Sequence, residues 1–486
     1  MGTSLFTDPD ALPQLIGEFQ PVDIWQAHIN RIFYGLQGGR LREYYQTFAS
    51  ADYRLAHALA TDYFQKVVQR DRARGERAHS SPLPRASRLT IMEWGAGNGN
   101  LAACFLTHLK HLDKEELVYP RVRYVLVEDQ EAALKTALAH PDLAEHRARV
   151  ETLCADVTDL GAVKDRTVDC ILCNELWNDL PAKLMLRKEG EVQEEFIRPN
   201  LSEGKYAAIG DWSGFVKAFT DLDIQALRSF PTFLEDIIWE KEYRKIERKD
   251  VPFHKTLTEF LKQVDEHVLM PVNLGTFAAL KEAKRVLAPD AVGLSSFDAG
   301  TAELRVLNDP DKPCYGQYGG QFSFMVNFAL MEAVATHLGA RSVTIETQRE
   351  YVGRTLGTNV ISLMDLLAAY PSPKSLQPWE QDRLILKTMR ALGESYHSPY
   401  QRRIEFPLRK ETPPKEREAL QALLLSLKRD GVPDTVAYIT ESEVFEVIGE
   451  LENLGYDREL IKATLTAPPQ DIEYCHFFLH PGLGLR

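Results

Sequence analysis

Six cysteines in 486 residues, Cys104, Cys154, Cys170, Cys173, Cys314 and Cys475, are too few and too scattered for a disulfide framework. The one close pair, in "VDCILCNEL", falls in an apolar run that reads as a buried strand. Positions three apart on a strand point to opposite faces, so a shared metal ion is not expected. Free thiols, no metal and a reducing cytoplasm are the expectation. Positive charge is also short: 57 Lys plus Arg stand against 70 Asp plus Glu, a net charge of −13, which speaks against a broad nucleic-acid-binding surface. No apolar run approaches the roughly 20 residues that cross a bilayer. The start "MGTSLFTDPDALPQLIGEF" lacks the basic segment and apolar core of a secretory leader, and its acids argue against a transit peptide. Gly2 in "MGTSLF" superficially suits myristoylation, a short motif that is common by chance.

What is present is an ordinary globular balance, 44% apolar and 26% charged residues, in a chain longer than one core usually sustains. Residues 1–80 read as helical, with apolar positions at helical spacing through "YRLAHALATDYFQKVVQ", until "RDRARGERAHSSPLPRAS" breaks the pattern. From Arg88 onward β-rich and helix-like runs alternate: "RLTIMEW", "LAACFLTHLKHL", "VRYVLVE", "QEAALKTALA", "RVETLCA", "TVDCILCNEL". Such alternation predicts an α/β fold, a doubly wound, mostly parallel sheet covered by helices. We expect this domain to span 81–410, with an inserted helical lobe at about 211–272 around "EDIIWEKEYRKIERKDVPFHKTLTEFL". After the connector "FPLRKETPPKERE", residues 411–486 read as a helical tail.

The stretch "IMEWGAGNGN" holds the first site signal. A strand ending in Glu93, a turn with Gly95, Gly97 and Gly99, and a helix from about Leu101 make a nucleotide-type loop, where glycines allow positive φ and close approach of backbone to a ligand. Two more strand-end acids follow in successive βα units. Glu128 closes "YVLVE", where a carboxylate can accept both hydroxyls of a ribose; Asp156 follows "ETLCA", where one can accept from an adenine amine. No phosphate-gripping lysine follows the glycines. The set fits S-adenosyl-L-methionine, an adenosine without phosphates joined through a sulfonium to an amino-acid tail.

The second signal is "CNELWNDLP" after the fourth strand. In a doubly wound sheet the ligand lies outside the carboxyl ends of the strands, which turns Asn174 and Glu175 toward the methyl donor. Asn174 can accept from an attacking nitrogen, Glu175 can hold an amine or cation, and Trp177 can wall out water.

These pieces together, "EWGAGNGNLA", "VLVED", "NELWNDLP", "FDAG", "VNFALMEAV" and "TQREYVGRTLG", resemble the MidA-type methyltransferases, which include the mitochondrial complex I assembly methyltransferase, over roughly 88–404. The resemblance implies a class I, Rossmann-like methyltransferase fold and, for the mitochondrial member, methylation of an arginine side chain in a partner protein. For an arginine substrate, an adjacent carboxylate, Asp179 or Asp298, is the candidate proton acceptor, and Asn327 and Gln348 are expected at the substrate. The chain departs from the family pattern where Asn178 replaces the aspartate of Asn-Glu-Phe-Phe-Asp-Ala-Leu-Pro, where "FDAG" replaces Ile-Asp-Tyr-Gly, and where Asn327 replaces the aspartate of Val-Asp-Phe. The tail's "LGYDRELIKATL" faintly resembles a ubiquitin-associated helical module.

The expected activity is methyl transfer to a nitrogen of a protein or peptide, an arginine side chain being the specific candidate. Methylation of a small molecule under a lid formed by the insertion, and a catalytically silent assembly factor, are the competing readings. Neither nucleic acid nor membrane is expected as a partner, and a homodimer is left open.

Overall fold

The computed structural model describes residues 14–37, 53–77, 88–246, 251–393, 395, 406, 408–409, 411–427 and 438–481. The myristoylation-like start and the boundary at 78–87 lie outside them. Two helices come first, α1 (Val22–Gln37) and α2 (Tyr53–Arg77). There follow β1 (Leu89–Trp94), α3 (Asn100–Leu112), β2 (Val122–Glu128), α4 (Glu131–Leu138), β3 (Val150–Cys154) and β4 (Cys170–Asn174). Every residue of β1 is buried, as a strand covered on both faces requires.

The chain then leaves the sheet. β5 (Lys183–Lys188) and β6 (Glu191–Leu201) form a hairpin whose turn, Glu189 and Gly190, has positive φ at both positions, matching the twist of the flanking strands. β7 (Ile237–Lys245) pairs with β6, and β8 (Met270–Val272) pairs with β5, all antiparallel. Short strands at Gln14–Leu15 and Gln20–Pro21 also join β6, and α1 packs against this lobe in a cluster of Trp25, Ile29, Phe33, Phe219 and Phe322.

The insertion therefore differs from the helical lobe expected at 211–272. It starts at Lys183 and is built on a sheet. Helices at Trp212–Thr220, Ile224–Leu227 and His254–Leu261 do lie in it, the last within the charge-dense run, but the first part of that run is the strand β7, because its charges find partners across the ladder: Arg198 opposite Glu240 forms an ion pair, and Tyr243 opposite Glu195 donates a 2.8 Å hydrogen bond. Cross-strand pairing of this kind overrides weak local preference.

The main sheet resumes with α5 (Leu274–Val286) and β9 (Gly293–Thr301), then a hairpin of β10 (Tyr315–Tyr318) and β11 (Gln321–Phe324), then α6 (Phe328–His337), β12 (Ser342–Thr347) and α7 (Gln348–Leu356). Its last strand, β13 (Glu473–His480), comes from the far end of the chain. The order is β12-β13-β9-β4-β1-β2-β3, and β13 alone in this row runs antiparallel to its neighbours. This is a class I methyltransferase fold.

The tail is thus not helical to its end. Its short helices, Glu441–Glu446, Ile448–Asn453 and Arg458–Leu465, precede a strand that fills the gap between β9 and β12. "YCHFFL" is a short apolar run, which sequence periodicity cannot assign to strand or helix. Within the ubiquitin-associated-like segment, Tyr456 is buried against Tyr370 and bonds Thr388 at 2.8 Å, while Glu443 accepts from Arg54 of α2 at 2.7 Å. The segment packs on its own domain.

Two apolar layers cover the sheet, one including α2, α3, α7 and the tail helices, the other including α5 and α6. Cys170 belongs to the first and Cys173 to the second, so the Cys-x-x-Cys pair does straddle β4. None of the six cysteines, all of them among the described residues, is in a disulfide.

Candidate functional site

The glycine loop leaves β1 and is tied at once to β2: Gly95 and Ala96 donate to the Val127 carbonyl at 3.0 and 3.4 Å. Gly95, Gly97 and Gly99 all have positive φ. Their reasons differ. A Cβ on Gly99 would come within 2.7 Å of the Ala137 carbonyl oxygen of α4, so this glycine allows helix packing. A Cβ on Gly97 would meet nothing nearer than 4.0 Å, which leaves open space above exposed backbone. The Gly97 N–H donates to the Glu128 carboxylate at 2.7 Å. Burial pushes the Glu128 carboxyl up to about 7 despite that bond.

Glu93 accepts from the Tyr124 hydroxyl at 2.7 Å and is buried, which pushes its carboxyl up to about 8; the nearby Glu128 charge adds to the shift. Asp156 lies exposed after β3, where it accepts from the Thr158 N–H at 2.8 Å and the Thr158 hydroxyl at 2.7 Å. Its charge reaches Asp129, which in turn acts on Glu128, so the ends of β2 and β3 present carboxyls close together.

Asn174 ends β4 with its side-chain oxygen buried and unpartnered among the described residues. Glu175 follows with φ 48, a left-handed conformation that costs a non-glycine residue about 1–3 kcal/mol and collects at functional sites. Its N–H donates to the Phe297 carbonyl of β9 at 2.7 Å, which fixes the turn. Asp298, the next residue on β9, is fully buried. It accepts from the Asn178 N–H at 3.1 Å and its own neighbour's, Ala299, at 2.8 Å. Burial first, and the Glu175 charge second, push its carboxyl well above the usual range. Asp179 accepts from the Tyr34 hydroxyl and from Gln321 Nε2, the latter at 2.7 Å; burial nonetheless pushes it up to about 6.

Three expected substrate residues fall differently. Trp177 is fully buried, edge-on to Trp94 with ring centroids 6.4 Å apart, and is a core residue rather than a wall of the site. Asn327 is fully buried and committed to the fold: it caps α6 by accepting from the Leu330 N–H at 3.0 Å and donates to the Pro271 carbonyl at 3.2 Å. An asparagine can do this without the charge an aspartate would bury. Gln348 opens α7, which Thr347 and Glu350 cap reciprocally, and both polar atoms of its buried amide lack partners among the described residues. A separate cleft of about 960 Å³, lined by Glu346, Arg349 and Arg354 among others, lies at the β12 side of the sheet and not at the glycine loop.

Sequence reading missed Gln26, Tyr34 and Gln321, all bonded to the loop at Asp179. A signal existed: Gln26, Asn30 and Tyr34 recur at every fourth position within a helix whose buried face is otherwise Trp25, Ile29, Ile32 and Phe33.

The residues present fit S-adenosyl-L-methionine: open backbone over Gly97, a carboxylate beside it and the orphaned Asn174 oxygen. Residues 76–274 match a family model described as "Putative S-adenosyl-L-methionine-dependent methyltransferase". That segment contains the glycine loop, Glu128, Asp156 and the Asn174–Pro181 loop. The protein is an S-adenosyl-L-methionine-dependent methyltransferase.

Among solved structures, the chain is similar to a superfamily member from Burkholderia thailandensis bound to S-adenosyl-homocysteine and described as a "likely methyl transferase". The identity is 17%, over 69% of this chain and 76% of that one, with a TM-score of 0.46. It is also similar to an uncharacterized protein of the same superfamily and organism, with 13% identity over 96% and 88% of the two chains and a TM-score of 0.46. A comparison with curated proteins gives no match.

Proposed function

We propose that the enzyme methylates a nitrogen of a protein or peptide, with an arginine side chain as the acceptor that best suits the site. Three carboxyls of unequal character on one loop and its floor support this reading: Glu175, Asp298 and Asp179. Arginine stays protonated in water, so a carboxylate must localise its charge on one nitrogen and leave another nucleophilic. Glu175, presented by a strained backbone, is assigned to pair with the guanidinium, and Asp179 is placed to take the departing proton. Asp298, held by two backbone N–H groups, sets the loop's shape. When bound, the cofactor supplies an electrophilic methyl on a sulfonium. Asn174 and the glycine loop orient it, and alignment of the two reactants supplies most of the acceleration. The lack of a disulfide among the six cysteines supports a reducing compartment, the cytoplasm.

The lobe gives a second reading its footing. It begins two residues after Pro181, so it can roof a small-molecule acceptor. Transfer of label from S-adenosyl-L-methionine into a cell lysate, resolved by size, distinguishes the two. Label in proteins supports the first reading, and label confined to small molecules transfers the case to the second.

A further inference from the structure

The loop that carries Asn178 to Ala182 has no strand ladder to satisfy its backbone, and α1 supplies the missing partners. Gln26, fully buried, donates to the carbonyls of Asp179 at 3.2 Å and Leu180 at 3.0 Å and accepts from the Ala182 N–H at 2.8 Å. One turn on, Asn30 donates to the Phe322 carbonyl at 3.0 Å and accepts from the Phe322 N–H at 2.9 Å, clasping β11. A further turn on, Tyr34 donates to Asp179 and accepts from Gln321 of β11 at 2.7 Å. The clasp closes where the Phe324 N–H donates to the Asn178 carbonyl at 2.9 Å.

The partners of Gln26 and Asn30 are backbone groups that no substitution makes apolar, so these buried bonds stabilise the fold by satisfying them. A polar row that matches the backbone of one loop and one hairpin also specifies a single geometry. We propose that α1 is the positioning element of the acceptor site, with Gln26 and Asn30 fixing the loop and hairpin and Tyr34, together with Gln321, orienting the Asp179 carboxylate. The inference rests on the reading that this loop handles the acceptor. The groups that face Asp179 are Tyr34 from α1, Gln321 from β11 and Asp298 from β9, a carboxyl that burial biases toward its neutral form.

Two variants test it, Tyr34→Phe and Gln26→Met, each compared with the wild type by calorimetry with S-adenosylhomocysteine and by label transfer from S-adenosyl-L-methionine into lysate proteins between pH 6 and 9. Tyr34→Phe removes a donor that favours the ionised Asp179. We expect product affinity within about twofold of wild type, transfer at pH 6.5 down about tenfold, and recovery toward wild type by pH 8.5. Gln26→Met leaves Asp179's own partners in place, so the pH profile keeps its shape while amide hydrogen exchange at Asn178–Ala182 rises about tenfold or more. A Tyr34→Phe profile superimposable on the wild type's, or unchanged exchange in Gln26→Met, overturns the proposal. If the wild type binds the product yet labels no protein, the protein-acceptor reading fails; the exchange measurement needs no acceptor and still decides the role of α1.

Discussion

The two halves of the site are made in opposite ways. The cofactor half is local: β1, its glycine loop and the ends of β2 and β3 come from one continuous stretch, and much of the contact surface is bare backbone. The proposed acceptor half is gathered from Gln26, Tyr34, Glu175, Asp179, Asp298 and Gln321, residues spread over almost three hundred positions. Backbone recognition needs only glycine and a strand end, so it survives wide divergence elsewhere. Side-chain recognition across many elements is easily retuned, and on the proposed reading substrate identity is set in the second half.

The comparison breaks most visibly at Glu175. Glu175→Gln keeps shape but loses the charge, and we expect transfer to fall at least about 100-fold while S-adenosylhomocysteine affinity stays within about twofold. Equal loss of both in calorimetry and label transfer would mean the halves are not separable. Next come the two glycines. Gly99→Val adds a clash with the α4 backbone to a positive φ and should destabilise by about 3 kcal/mol or prevent folding, as denaturant titration will read. Gly97→Ala meets open space, so its stability cost is about 1 kcal/mol and its main effect is on product affinity, about tenfold weaker.

Two pH effects are smaller. Glu128 titrates at about 7 because burial favours its neutral form, and an ionised carboxylate is the better acceptor for hydroxyls. Product affinity should therefore rise a few-fold from pH 6 to 8, and Glu128→Gln should flatten the rise. Far from the site, His57 and His108 stack with centroids 3.8 Å apart between α2 and α3, and burial first lowers them to about 3 and about 4, with the His108, Arg54 and His111 charges adding at His57 and the His111 charge adding at His108. Their unfolded counterparts protonate near 6.5, so the stability they confer is complete above that pH and declines as pH falls from about 6.5 toward 4 and 3. The melting temperature should drop across that window, and His108→Gln should make the drop shallower while leaving the cofactor half untouched.

Much of the cofactor half was legible because its signals are contiguous: an apolar strand, a glycine turn and an acid at the end of each following strand. Asn174 and Glu175 stand out in the sequence for the same reason, as a contiguous block at the end of β4. Trp177 and Asn327 misled because a buried tryptophan and a helix-capping asparagine look, in sequence, like site residues. The charged strand β7 and the last strand β13 were read as helix, since short segments take their state from the ladder they join.

What the chain determined by itself is the alternation of apolar runs and glycine turns that selects a parallel sheet with a ligand crevice at its carboxyl edge, because periodicity and backbone freedom act locally. Tertiary structure alone decided that α1 would bond the loop at Asp179–Ala182, that the Glu175 charge would reach the buried Asp298, and that the final eight-residue strand would enter the sheet. These arrangements depend on hydrogen bonds and burial between segments far apart in the chain, and no local spacing encodes which distant partner a polar side chain will meet.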